Sequence, residues 1–539
     1  MKKRIGIALV LLLVLSLTLG ACGQSGGGGS DAAQELTYVL LNEPDGIDPT
    51  ITSNSFASPI LTNVFEGLVT YDSSGSIVAG QAESWDISED GLVYTFTLRE
   101  GLKWSDGSDL TANDFVYSYQ RVLTPETTSN YLSMLTDFIA NAQEYYDGTA
   151  TAEELGVQAP DDRTLVLTLK EVAPYFIDVL SMWVYSPVQQ AAVEAGGERW
   201  TLDPATYVSN GPFKVSELNM GENVVLVKNE NYWNAADVKL EKVTLRYILD
   251  QSTALTAFLN GEVDGVHGVP GSDIPRLKAD ENSGLQILSQ YGTFYYLFNN
   301  EDEVLSDPNV RKALNLAIDR TALIENVTQN GAQPAYSIVS PGYVVDGEDF
   351  ADGRGTFGMT PSGDIEGAKA ALAEAGYPDG EGFPTISFAY YTNDEVKKLV
   401  EAIAEMWESN LGITVSITSD DWAVHLENMK AGNYQIATTG WTADYLNPIS
   451  FLPLLVTGNS NNHSKYSNPD FDALVAQAQS ETDAKVAMQL MRDAEALMME
   501  DYPIIPVYFK INTIMMADHV QGWTLTALNN IYFKNTSIK

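Results

Sequence analysis

The chain has 539 residues, too many for one hydrophobic core, so two or three lobes are expected. Its 30 basic residues stand against 72 acidic ones, a net charge of −42, which argues against nucleic acid as a partner because a polyanion would be repelled. A single cysteine excludes an internal disulfide, so stability must come from packing, for which 45% hydrophobic residues, including 9 Trp, 27 Tyr and 18 Phe, are ample.

The chain opens with Lys2-Lys3-Arg4, an uncharged apolar run from Ile5 to Leu19, the small pair Gly20-Ala21, and then Cys22. A basic start, a short hydrophobic core and small residues before a cut are what a secretory signal needs, and the run is short for a spanning helix. Residues 1–21 therefore read as a signal peptide. The tetrad Leu19-Gly20-Ala21-Cys22 resembles the bacterial lipoprotein lipobox, which implies cleavage before Cys22 and lipid attachment to its sulfur. Two or three acyl chains anchor stably where one would be marginal. The competing reading is an ordinary signal peptide cut near Ala21. Residues 22–35 are Gly/Ser-rich and without apolar periodicity, which makes a flexible tether. The folded body is expected from about Leu36, and no later apolar stretch approaches the length needed to cross a bilayer.

Strand and helix signals then alternate. Tyr94–Leu98 and Thr164–Leu169 alternate or run apolar as strands do, bounded by Asp-Gly and Asp-Asp turns. From Glu395 to Ser409 the residues Val396, Leu399, Val400, Ile403, Met406 and Trp407 fall on one helical face, and Asn410-Leu411-Gly412 marks the stop. Ile413, Val415 and Ile417 alternate with threonine and serine as a half-buried strand. A helix over Trp422–Met429 and a strand over Tyr434–Thr439 complete a strand–helix–strand unit. That places Gly440 to Asp444 at a strand's C-terminal end, where open α/β sheets bind ligands.

Several chemistries find no support in the sequence. His267, His425, His463 and His519 are scattered without paired spacing, so no His-rich zinc site is expected. Asp346, Glu348, Asp349 and Asp352 lack the ligand spacing and terminal Glu of a calcium loop. There is no Walker A run and no G-x-S-x-G elbow, so catalysis, a metal and a cofactor are all expected to be absent.

The run AESWDISEDGLVYTFTLREGLKWSDGSDLTANDFVYSYQR at 82–121 resembles the signature segment of the bacterial extracellular solute-binding proteins of the peptide/nickel importer family. Further matches follow in the family's order: FEGLV at 65–69, GVQAPDDRTLVLTL at 156–169, NGPFKV at 210–215, NYWN at 231–234, DPNVRKALNLAIDR at 307–320, LAEAGYP at 372–378 and GWTADY at 440–445. Within the family the chain is most similar to oligopeptide-binding proteins. The resemblance implies an α/β, periplasmic-binding-protein-like clamshell with three lobes: lobe I from 36–65, 190–292 and 505–539, lobe II from 66–189, and lobe III from 293–504. It implies a monomeric binding protein rather than an enzyme, which captures oligopeptides and delivers them to ABC permease subunits coupled to ATPase subunits. With the lipid anchor, the place of action is the outer face of the cell membrane; the long tether and the acidity favour a Gram-positive surface, and in a Gram-negative cell the protein would face the periplasm. The same family includes binders of dipeptides, haem, nickel chelates and oligosaccharides. A secreted hydrolase is the alternative from another class, but no nucleophile or base stands out for it.

The physics of holding a peptide without reading its sequence selects the candidate residues. Each buried backbone donor or acceptor left unpaired costs about 1–3 kcal/mol, and strand addition satisfies them for any sequence. By resemblance, Gly440, Trp441 and Thr442 supply one backbone ladder and Ser53, Asn54 and Ser55 the other. The peptide's ammonium, once removed from water, demands a carboxylate, and Asp444 is the matching residue. Tyr131 matches a pocket tyrosine whose hydroxyl helps orient the same end. On the residues alone, Asp444 reads first as a capping or turn residue and Trp441 first as core packing, and Tyr131 reads equally as core or rim. Where relatives that take short peptides place cationic or imidazole groups for the C-terminal carboxylate, this chain has Thr438, Val396 and Thr328. Lys397, Lys398 or Lys430 could serve instead, though each reads first as a solvated helix charge. The acidity favours a ligand of basic character.

Overall fold

The computed structural model describes residues 33–72 and 75–539; the expected signal segment, Cys22 and the tether up to residue 32 lie outside the described residues. The main sheet has the strand order Val415–Asp420, Ile386–Tyr391, Ile436–Thr442, Leu285–Phe298, Ile504–Met516, Gly265–His267, Glu35–Leu40, Lys242–Tyr247, Asn223–Lys228 and Phe213–Asn219. Gln333–Pro334 adds a short pairing to Ile504–Met516. A separate four-stranded antiparallel sheet orders Ala82–Ile87, Val93–Leu98, Thr164–Thr168 and Val157–Asp161. In Val93–Leu98 the expected alternation holds, with Tyr94, Phe96 and Leu98 buried and the residues between them partly exposed.

Two strands of 14 and 13 residues, Leu285–Phe298 and Ile504–Met516, run through the middle of the sheet and join its two halves. Their antiparallel pairing is interrupted. Leu285–Ser289 pairs with Ile511–Met515 and Thr293–Leu297 with Ile504–Phe509, leaving Gln290, Tyr291 and Gly292 out of register. Tyr291 instead donates its N–H to the Ala527 carbonyl at 2.6 Å and accepts from Ala443 N at 2.9 Å. Such a bulge bends the strand and re-aims its side chains. The expected change from lobe I to lobe III after residue 292 falls at this interruption.

The helix expected over Glu395–Ser409 spans Asp394–Leu411. Asn393 caps it, accepting from Glu395 N and Val396 N at 3.0 Å each, and Gly412 ends it at φ 70°, a conformation glycine reaches without strain. Val396, Leu399, Val400, Ile403 and Trp407 are buried on one face, each contributing about 1.5–3 kcal/mol. In the strand–helix–strand unit the two strands are not neighbours, because Ile386–Tyr391 lies between Val415–Asp420 and Ile436–Thr442, parallel to both. The second strand runs three residues past its expected end, to Thr442.

Large hydrophobic clusters fill the two halves. One gathers residues between Leu36 and Leu245 with Tyr445, Ile514, Met516, Val520, Ile531 and Phe533; the other gathers residues between Tyr291 and Val507 with Tyr71, Leu528 and Tyr532. The segments expected to form lobes I and II share the first cluster. Several sequence motifs converge on structure rather than chemistry. The Glu66 carboxylate of FEGLV accepts from Gln81 Nε2 (2.9 Å), Tyr232 Oη (2.5 Å) and Trp233 Nε1 (2.6 Å), and the Asn210 amide bonds the Glu66 backbone on both sides. Arg99 stacks its guanidinium 3.8 Å from the Trp233 ring. In DPNVRKALNLAIDR, Arg311 donates to the carbonyls of Leu305, Ser306 and Asp501, and the buried Arg320 to those of Pro506 and Asn315, which ties Pro308–Leu316 to the start of the last long strand. No helix among the described residues is long and apolar enough to cross a membrane.

Candidate ligand-binding cleft

Ile436–Thr442 pairs along Gly292–Phe298 on one side, but on the other it meets Ile386–Tyr391 only at Ile436 and Ala437. Beyond Ala437 that edge has no strand beside it. In antiparallel pairing, alternate residues turn their N–H and C=O towards the partner strand. Ala443 N bonds Tyr291 O, so Trp441 and Thr439 share that orientation, whereas Thr438, Gly440 and Thr442 turn outward. The Thr438 carbonyl is taken by His425 Nε2 at 2.8 Å, leaving Gly440 and Thr442 to present main-chain groups at the open edge.

A cavity of about 180 Å³ lies at the end of this strand, lined among others by Ser53, Ser55, Tyr131, Trp183, Gln290, Thr442, Asp444 and Asn529. The Asp444 amide is held by Ser450 Oγ at 2.9 Å, while its carboxylate has no hydrogen bond or ion pair among the described residues. Some of its surface remains accessible towards the cavity, yet the surrounding protein strips enough water to push its pKa up to about 7. Burial, then the nearby Asp444 charge, raise the Tyr131 hydroxyl far above the ordinary tyrosine range and keep it protonated. The Tyr131 ring sits edge-on to Trp183 at 5.9 Å, and Trp183 Nε1 donates to the Thr52 carbonyl at 2.9 Å. Asn529 Oδ1 is buried with no partner among the described residues.

A second cavity, of about 500 Å³, continues from Gln290, which lines both. Its walls include His267, Phe294, Thr328, Tyr391, Val396, Trp422, Gly440, Tyr508 and Lys510. The two cavities are linked by hydrogen bonds, since Thr442 Oγ1 accepts from Lys510 Nζ (3.1 Å) and from Gln290 Nε2 (3.2 Å). The volume is that of a small-molecule or short-peptide site.

The structure brings Asp444, Tyr131, Ser53, Ser55 and Thr442 to one cavity, with Gly440 on the wall of the adjoining one. Asn54 and Trp441 line neither. Asn54 is spent on a turn: its Oδ1 accepts from Phe56 N, its carbonyl from Ala57 N, and its N–H bonds Thr52 Oγ1. Trp441 packs against the second hydrophobic cluster, with its indole N–H buried and without a partner among the described residues. Thr328 and Val396 line the larger cavity, while Thr438 is fully buried. Lys397 and Lys430 pair with Glu401 (3.8 Å) and Glu427 (2.9 Å) on exposed helix faces. The sequence reading missed Lys510 and Gln290. A signal existed for the former, the one charge in the apolar strand IIPVYFKINTIMM. The four histidines do not converge: His267 bonds Asn512, His519 bonds Asp264 and His425 bonds Thr438, and no metal-holding cluster occurs among the described residues.

Two joined cavities beside an open strand edge, in a sheet whose halves are connected by two interrupted strands, define a ligand-binding clamshell of the periplasmic-binding-protein type. The sequence profile of the bacterial extracellular solute-binding proteins, family 5, matches residues 76–463. The oligopeptide-binding protein OppA of Bacillus subtilis is 32% identical over 556 aligned residues that span all of both chains. Among solved structures, the murein tripeptide binding protein MppA of Escherichia coli superposes with a TM-score of 0.80 at 32% identity, covering 94% of this chain and 99% of that one. OppA of Haemophilus influenzae in complex with RPPGFSPFR gives 0.78 at 30% identity, with 94% and 99% covered. The chain belongs to the family 5 extracellular solute-binding proteins, a family of binding proteins and not of enzymes.

Proposed function

We propose that this protein captures peptides with a free N-terminus and hands them to a membrane-embedded ABC importer. The observation that carries the reading is the Asp444 carboxylate, unpaired and desolvated just beyond a strand whose outward edge offers main-chain groups at Gly440 and Thr442. An ammonium entering the cavity neutralises that carboxylate, and an extended peptide backbone completes the edge whatever its side chains. Tyr131 orients the ammonium through its hydroxyl, and Ser53 and Ser55 line the same cavity. Peptide ligands named for the two solved relatives, a murein tripeptide and a nonapeptide, agree with this chemistry.

Capture proceeds by closure about the two long strands, with lobe I (36–65, 190–292 and 505–539) and lobe II (66–189) on one side and lobe III (293–504) on the other. Cys22 carries the lipid that holds the protein at the outer face of the membrane, within reach of the permease and its ATPase subunits. Native mass spectrometry of protein purified without denaturation from rich medium tests the ligand class. A ladder of peptide masses is expected; a bound sugar, haem or metal chelate would overturn the peptide reading. For the anchor, Cys22→Ala is expected to move the protein from the membrane fraction to the medium or to leave an unprocessed precursor, and retention as an acylated mature form would remove Cys22 from that role.

A further inference from the structure

Lys510 sits in the last long strand between Phe509, paired with Thr293, and Ile511, paired with Ser289, directly opposite the interruption at Gln290–Gly292. Its stem passes between two glycines. A Cβ on Gly292 would come within 3.0 Å of Lys510 Cδ, and one on Gly440 within 3.3 Å of Cε and 3.4 Å of Nζ. Larger residues at either position would push the lysine aside, so its place at the junction of the two cavities is built into the backbone around it.

The ammonium has one side-chain partner, the neutral Thr442 Oγ1 at 3.1 Å, and no ion pair among the described residues. Burial lowers its pKa to about 8, with no acidic neighbour to raise it. The other titratable walls of the larger cavity do not neutralise it. His267 is held neutral by burial and bonds Asn512, while Glu395, whose carboxyl burial pushes up, makes no ion pair with Lys510 among the described residues. A cation short of both water and counter-charge, facing a cavity of about 500 Å³, is suited to an anionic group brought by the ligand.

The spacing limits where that group lies. Lys510 Nζ is bonded to Thr442, and Thr442 and Asp444 are two residues apart, at most about 7 Å between their Cα atoms. Building on the peptide reading above, we propose that Lys510 receives a carboxylate of the ligand two or three residues from the ammonium held by Asp444. That carboxylate is either the C-terminus of a di- or tripeptide or an acidic side chain near the start of a longer peptide. The site thus selects for locally zwitterionic ligands, against the preference for basic peptides that the overall charge suggests.

Calorimetric titration of the purified full-length chain separates these sources. Dialanine and trialanine are compared with their C-terminal amides, and Ala-Glu-Ala-Ala-Ala amide with Ala-Gln-Ala-Ala-Ala amide, in the wild type and in Lys510→Met. In the wild type at least one acid is expected to bind roughly 10- to 100-fold tighter than its neutral counterpart, the effect of a hydrogen bond to a charged group. Lys510→Met should bring that ratio to about one, and a ratio as large as in the wild type would remove Lys510 from the carboxylate site. A preference in the first pair assigns the carboxylate to the C-terminus, and one in the second pair to an acidic side chain. A wild type that binds the amides well without preferring either acid overturns the role of Lys510 and leaves the peptide reading standing, and needs no variant to fold. A wild type that binds none of these peptides overturns both.

Discussion

Replacing Asp444 with asparagine separates what the carboxylate does for binding from what it costs the empty protein. Its pKa is raised by burial from the ordinary 3.8 to about 7. A carboxyl whose folded value lies above its unfolded one adds no penalty below about pH 4, where both states are neutral, and destabilises the fold increasingly as pH rises to about 7. Three pKa units correspond to at most about 4 kcal/mol, reduced by whatever water the cavity admits. Asp444→Asn should therefore raise the melting temperature of ligand-free protein above pH 7 and leave it unchanged near pH 3.5. Binding moves the other way. The ligand ammonium requires the ionised carboxylate, so wild-type affinity should fall roughly tenfold per pH unit below about 7, until the carboxyl's own value in the complex is reached. The variant should lose about 3–5 kcal/mol of binding, as for a buried charge pair missing one partner, and should show no such pH dependence. Calorimetry from pH 5 to 8 in buffers of different ionisation enthalpy would register proton release in the wild type only, and N-acetylated peptide should bind as poorly as the variant binds free peptide. Equal affinity of wild type and variant for a free-amine peptide, or a wild type that binds tighter as pH falls, would refute the reasoning.

Two further predictions concern the frame around the cleft. Arg121 forks onto Asp48 with bonds of 3.1 and 2.8 Å, and the Asp48 side chain is only 10% exposed. Arg121→Ala should cost about 3 kcal/mol in urea unfolding, the low end for a broken buried pair, because Trp200 Nε1 and Thr50 still donate to the carboxylate; a loss below about 1 kcal/mol would show the pair to be solvated. Glu66→Ala strands the donors of Gln81, Tyr232 and Trp233, each worth about 1–3 kcal/mol when left unpaired, so a large fall in melting temperature is expected. A near-neutral result would mean that water replaces the carboxylate.

The legible part of this protein was local or repeated. The amphipathic face from Val396 to Trp407, its Asn393 cap and Gly412 stop, and the alternation in Val93–Leu98 follow from side-chain period and backbone preference, which operate between neighbours in the chain. The ordered motifs fixed the family, and three of them, distant in the chain, meet at Glu66, with Tyr232 and Trp233 bonded to its carboxylate and Asn210 to its backbone. Asp444, Tyr131, Ser53 and Ser55 were reachable by resemblance. That Asn54 would spend its polar groups on a turn, and that Trp441 would turn its backbone to Thr293 and leave the open edge to Gly440 and Thr442, depended on strand register, which pairing across the sheet decides. Lys510 is the sharpest case. The order of residues is enough to show one charge in an apolar run of thirteen. That the charge faces a cavity, between two glycines from other strands, follows from the fold, because desolvation and counter-charge are properties of what surrounds a group in space and not of its neighbours in the chain.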